Sequence, residues 1–301
     1  MVVQQNSSFR SLIAYIGWSL GMLLLWDLVV TFGYVTLNEN EGLEFPSLPV
    51  TLAGSALVLF LSLRNNAAYA RWWEARTLWG AIVNSSRSFA RQANSMIGAG
   101  ENDQATHALR HDLVIRQINY ANALRFHLLK QRPANLLEEL ADAERMRLTD
   151  HANIPNAILM RNAQDLAQAC RAGSLGAYER VLIEQTLKDL SNAQGGLERI
   201  CNTPLPKQYA QYPRIFVNTF CVLLPLGLVD SLLLYTPIAS TLVGFMLMTM
   251  EKMGRDLQDP FNDNVHNVPM ESICQTIRID LLQGIGKKAP TPIASVDGVL
   301  W

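Results

Sequence analysis

Few residues in this chain have the type and spacing for bond-making chemistry. His107 and His111 stand four apart on a stretch of helical pattern, a spacing at which two imidazoles can share a metal. No HExxH run surrounds them and no third ligand lies nearby, so an exposed or packing pair is expected and no metal is assigned. Cys170, Cys201, Cys221 and Cys274 form neither a CxxC pair nor a zinc-type pattern, and are expected to be reduced packing residues. There is no GxSxG elbow, no GxGxxG turn and no P-loop, so catalysis and nucleotide cofactors have no support. The residues that do stand out are acids in unusual places. Asp27 and Asp230 interrupt apolar runs, where a carboxylate is either functional or hydrogen-bonded to a neighbouring helix as a packing device. Glu39, Glu41 and Glu44 crowd a short segment and could concentrate cations, or simply be solvated.

The elements that must hold these residues are helices of two kinds. Over 301 residues the charges nearly cancel, 25 basic against 26 acidic, which excludes a strongly basic nucleic-acid binder. Apolar residues gather at the two ends. Residues 11–35 carry one formal charge, Asp27, over a length sufficient to cross a membrane, and no signal-peptide cleavage pattern follows. An acidic loop is expected from Leu37 to Pro46. The run Val50–Leu63 is only about 14 residues, roughly 21 Å of helix, yet nothing breaks the chain before Ser95, so one long helix is expected to continue into water. From 97 to 212 charges are mixed and apolar residues recur at helical spacing, as at Leu109, Leu113, Ile118 and Leu124. Breakers at Pro133, Pro155, Gly173, Gly195-Gly196 and Pro204 predict three or four helices. Apolar runs return at 215–235, where Pro225 is expected to kink a helix, and at 237–250. A last amphipathic helix is expected over 273–282.

Lys and Arg are absent between Arg10 and Arg64 and again between Arg214 and Lys252. Every basic residue therefore falls on the side that holds both termini and the polar middle, and the positive-inside rule makes that side cytoplasmic. An all-α protein with four transmembrane spans follows, divided as 1–97 (two spans and the extension of the second), 98–212 (helical cytoplasmic region), 213–255 (two spans) and 256–301 (cytoplasmic C-terminal segment).

After the second span the chain reads Arg64-Asn-Asn-Ala-Ala-Tyr-Ala-Arg-Trp-Trp-Glu-Ala-Arg-Thr-Leu-Trp-Gly80. By spacing alone Arg71, Trp72, Trp73, Glu74 and Arg76 read as an aromatic belt with snorkelling arginines at a membrane interface, and Arg71 can pair with Glu74 one turn on. This block resembles the signature of the bestrophin family in its bacterial branch. A second match runs from Asp256 to Met270, around Asp259-Pro-Phe-Asn262. The resemblance covers nearly the whole chain and implies a homopentameric ion channel of the bacterial inner membrane, with partners limited to its own copies, membrane lipid and the permeant ions. Five copies of the second helix would line an apolar neck at Ser55, Leu59 and Leu63, one turn apart on one face. Ser55 departs from the bulky residues usual in the family and should widen or wet the outer neck. A second, cytoplasmic constriction is expected within 181–185, at Leu182 or Gln185. The run of calcium-clasping acids found in animal relatives is missing from 262–267, where Asp263 is the one acid, so no calcium gating is expected. The resemblance favours chloride and other anions. The acidic outer loop and a pore segment without Lys or Arg leave monovalent cations open, and a non-conducting, membrane-anchored helical scaffold or sensor is the alternative.

Overall fold

The structure, a computed structural model, describes residues 15–41, 49–98, 103–262, 264–296 and 298–300. Among these residues the secondary structure is helical apart from one isolated bridge between Val296 and Val299. In chain order the helices are α1 (Trp18–Glu41), α2 (Val50–Met96), α3 (Gln104–Leu128), α4 (Asp142–Thr149), α5 (Ile154–Ala172), α6 (Ala177–Asn202), α7 (Lys207–Leu232), α8 (Thr236–Gln258) and α9 (Met270–Gly284). A single 3₁₀ turn, Leu233–Tyr235, joins α7 to α8.

Two compact units result. The first takes its residues from 4–72 and 204–259, the second from 73–203 and 260–301, so α2 contributes to both.

The first unit comprises α1, the first half of α2, α7 and α8. Two stretches here are long and apolar enough to cross a membrane: Trp18–Leu37, and the 52 residues Lys207–Gln258 that contain both α7 and α8. α1 remains helical to Glu41, past the Leu37 at which the acidic loop was expected to begin. Asn and Glu are permissible in a last helical turn, and the first Gly or Pro after Leu37 is Gly42. Pro237 sits in the first turn of α8, where its missing N–H costs no hydrogen bond. Pro213 and Pro225 both lie inside α7, which starts eight residues before the apolar run does. The core of this unit joins Leu23 of α1, Leu57 and Leu61 of α2, Val217 and Cys221 of α7, and Leu247 of α8. Gly244 makes the close approach possible. A Cβ there would lie 2.2 Å from Leu23 Cδ2.

In the second unit, α3 is the central helix. Leu113, Val114, Ile118 and Leu124 are buried, as are Ile158 and Leu166 of α5 and Ile183, Leu190 and Leu197 of α6. Each such side chain contributes about 1.5–3 kcal/mol by leaving water. α5 shows how local sequence sets an element's ends. The Asn153 side chain accepts the Asn156 N–H at 3.1 Å, Pro155 occupies the first turn, and Gly173 closes the helix at φ +82°. Pro155 therefore opens a helix rather than ending one. Gly195-Gly196, expected to break the chain, stays inside α6. The reason is packing: a Cβ on Gly196 would lie 2.8 Å from Leu78 Cδ1. Arg116 is buried between two acids, 2.5 Å from Glu144 and 2.7 Å from Asp165, tying α3 to α4 and α5.

Candidate functional site

The first half of α2 has two opposite faces. On one, Leu57 and Leu61 are buried in the core described above, and Phe60 packs against Tyr209 and Phe216 of α7 with ring centroids 6.2 and 5.9 Å away. Gly54 permits the approach of Phe220, whose ring would lie 3.2 Å from a Cβ at that position. The other face is left exposed among the described residues. Leu59 is 63% exposed and Leu63 58% exposed, with Leu52 and Ser55 on the same side. The Ser55 hydroxyl donates to the Thr51 carbonyl at 2.8 Å, so its polarity is partly satisfied by the helix itself. Ser55, Leu59 and Ser62 themselves line a groove of about 660 Å³, together with Val50, Gly54 and Val58 of α2 and with Phe220, Val243 and Leu247 of α7 and α8. A row of exposed leucines with no charged side chain between Val50 and Leu63 cannot perform acid–base or nucleophilic chemistry. Repeated around an axis, it would make a barrier that ions cross only when it hydrates.

Immediately after Leu63 the helix turns polar, inward. Arg64 is completely buried. Its Nη1 donates to the Glu251 main-chain carbonyl at 2.7 Å and its Nη2 to Gln258 Oε1 at 3.4 Å. Asn65 Nδ2 donates to the Met250 carbonyl at 2.9 Å. Gly254 is what lets α8 come this close, since a Cβ there would fall 1.8 Å from Asn65 Oδ1. The buried Glu251 carboxylate faces Arg255 one turn on, 3.5 Å away. Toward the start of the described chain, the Tyr15 hydroxyl donates to Asp256, and Lys252 lies over the Tyr15 ring at 4.1 Å.

A family model described as Bacterial/Fungal Bestrophin protein matches residues 9–283. The chain belongs to the bestrophin family. Its relatives include the voltage-dependent anion channel-forming protein YneE of Escherichia coli K12, 34% identical over 243 residues that cover 80% of this chain and 78% of that one. The voltage-dependent anion channel-forming protein RSc3414 of Ralstonia nicotianae is 34% identical over 250 residues, 79% of this chain and 77% of that one. Among solved structures, a bestrophin homologue from Klebsiella pneumoniae superposes with a TM-score of 0.83 at 28% identity, covering 89% of this chain and 98% of that one.

The other residues singled out in this bestrophin's sequence are placed as follows. Asp27 is fully buried and accepts from Ser240 Oγ at 3.0 Å and Thr241 Oγ1 at 2.7 Å, clamping α1 to α8. Asp230 is exposed and accepts the Tyr34 hydroxyl at 2.8 Å, linking α7 to α1. Glu44 and the side chains of Glu39 and Glu41 lie outside the described residues. Tyr69 stacks on Trp72 with centroids 6.4 Å apart, Arg71 and Arg76 are half-buried, Trp73 is exposed and Trp79 fully buried. Glu74, offered to Arg71 by spacing, receives Arg199 of α6 in an exposed pair that contributes little to stability. On α6, Leu182 is half-buried, while Gln185 is exposed and donates to Asp189 Oδ1 at 3.3 Å. Val181, on the same turn, is 65% exposed. His111 lies 2.5 Å from Lys287, and among the described residues no three His, Cys, Asp or Glu side chains gather around a metal-sized space.

Sequence reading missed the role of Arg64, Asn65, Glu251 and Gly254 as one cluster. The signal was there in part: Arg64 is the first basic residue after a long basic-free stretch, and Glu251 the first acid after the last apolar run. What one chain cannot reveal is that two such boundary residues, 187 positions apart, meet.

Proposed function

We propose that this bestrophin is an anion channel in which five copies of the chain surround a pore in the bacterial inner membrane. The observation that carries the reading is the asymmetry of α2: Leu57 and Leu61 are buried, whereas Leu59 and Leu63, two residues along in each case, are exposed on the opposite side. Five such faces around one axis form a neck of leucine rings with Ser55 at the outer end, and conduction follows hydration of that neck. Four crossings, made by α1, the first half of α2, α7 and α8, place both termini in the cytoplasm, as the Lys and Arg distribution requires. The first 23 residues of α2 rise roughly 34 Å, enough for a bilayer core although their apolar part is shorter. Segments 98–212 and 256–301 then form the cytoplasmic region, and Leu182 and Gln185 mark its constriction. The Arg71–Arg76 block lies at the membrane interface. The anion preference is carried over from relatives named as voltage-dependent anion channel-forming proteins.

Purified protein in a planar bilayer under a KCl gradient tests this. A reversal potential on the chloride side and a mass of five subunits by light scattering are expected. A dimer, or a folded pentamer that leaves the bilayer silent, would favour the non-conducting scaffold.

A further inference from the structure

A neck without basic side chains gives no obvious reason to admit anions. We infer that Arg64, buried behind the last leucine ring, is the residue that sets the preference for them. This rests on the anion-channel reading of the same face of α2. Arg64 follows Leu63 directly, so its Cα is about 3.8 Å from that of the pore-facing residue, while its side chain turns inward and is fully buried. Guanidinium remains protonated in such a place, and burying it is costly enough that its presence in a spanning unit calls for a role.

The surroundings offset its charge only in part, through Glu251 first and Asp256 after it, with Arg255 opposing them. Both hydrogen-bond acceptors, the Glu251 main-chain oxygen and Gln258 Oε1, are neutral. Its Nε has no partner, and no carboxylate among the described residues lies within ion-pair distance of it. The nearby Glu251 carboxylate is engaged with Arg255, and one of its oxygens is unpartnered. Asp256 accepts from Tyr15, and Lys252 adds another positive charge beside that ring. Arg64, Lys252 and Arg255 are matched in number by Glu251, Asp256 and Asp259, but Arg64 is the charge on α2 that directly follows the leucine stripe. Repeated five times at the inner end of a hydrocarbon neck, where the medium screens poorly, this charge lowers the energy of a passing anion and raises that of a cation without touching either. It acts through space, not as a ligand.

The decisive variant is Gln258→Glu, which places a carboxylate against Nη2 and neutralises Arg64 while leaving it and its packing in place. In a KCl gradient the chloride-to-potassium permeability ratio should fall by about tenfold. Arg64→Gln should fall similarly, Arg64→Lys should retain most of the wild-type ratio, and Glu251→Gln should raise it. Size-exclusion profiles identify variants that fail to assemble; should Arg64→Gln be among them, Gln258→Glu alone decides. Wild-type channels that prefer chloride, with the ratio unchanged in Gln258→Glu, overturn the assignment and leave the channel reading intact. Wild-type channels that prefer potassium overturn the anion reading and this inference together.

Discussion

Leu59 and Leu61 are two positions apart on one helix, and replacing each by alanine should produce opposite kinds of damage. Leu61 is fully buried against α1, α7 and α8. Truncating it removes the transfer energy of its lost carbons and leaves a cavity, which together cost about 3 kcal/mol in a well-packed core. For a chain of 301 residues that corresponds to a fall in melting temperature of roughly 5 °C. Leu59 is 63% exposed, so its own chain covers only about a third of it. Its truncation should cost less than about 1 kcal/mol. Its effect should appear instead in the current: a ring of five alanines hydrates more readily than five leucines, and unitary conductance should rise by at least about twofold. Thermal melts of the detergent-solubilised protein and single-channel recordings in a planar bilayer read the two effects separately. If Leu59→Ala melted as low as Leu61→Ala while conductance stayed at the wild-type level, Leu59 would be a packing residue and the neck would have to be sought elsewhere.

Asp27→Leu should lower the melting temperature more than Asp27→Asn, because leucine leaves the Ser240 and Thr241 hydroxyls without their acceptor, at about 1–3 kcal/mol, whereas asparagine keeps one acceptor oxygen; equal melts would show that the clamp contributes nothing. Gly254→Ala should abolish assembly on size-exclusion chromatography, since the new methyl would overlap Asn65 Oδ1, while Gly21→Ala, with open space around it, should elute as wild type. Burial pushes the Cys274 thiol up to about 12, so at pH 8 it is almost wholly protonated as well as sealed from solvent. A maleimide should label the half-buried Cys170 and spare Cys274 in the folded protein, as peptide mass mapping would show.

The amino-acid sequence by itself determined the helical class, the division into apolar ends and a polar middle, and the family. Periodicity and the absence of Lys and Arg over long stretches are properties of composition along one line, and they survive without any knowledge of contacts. The Arg71-Trp-Trp-Glu-Ala-Arg76 block is likewise read directly. Element ends were legible where local chemistry sets them, as at Asn153, Pro155 and Gly173. They were misread where tertiary packing overrides propensity: Gly195-Gly196 remains helical because α6 must approach Leu78, and α1 runs past the start of its acidic segment. Spacing put Ser55, Leu59 and Leu63 on one face of α2, but only the packing of α1, α7 and α8 against Leu57 and Leu61 decided which face stays exposed among the described residues. The partners of Asp27 and Asp230, and the meeting of Arg64 with Glu251 and Gln258, were likewise decided by the tertiary structure. Those contacts join residues 187 to 214 positions apart, and no local pattern encodes a pairing whose energy exists only after the helices have packed.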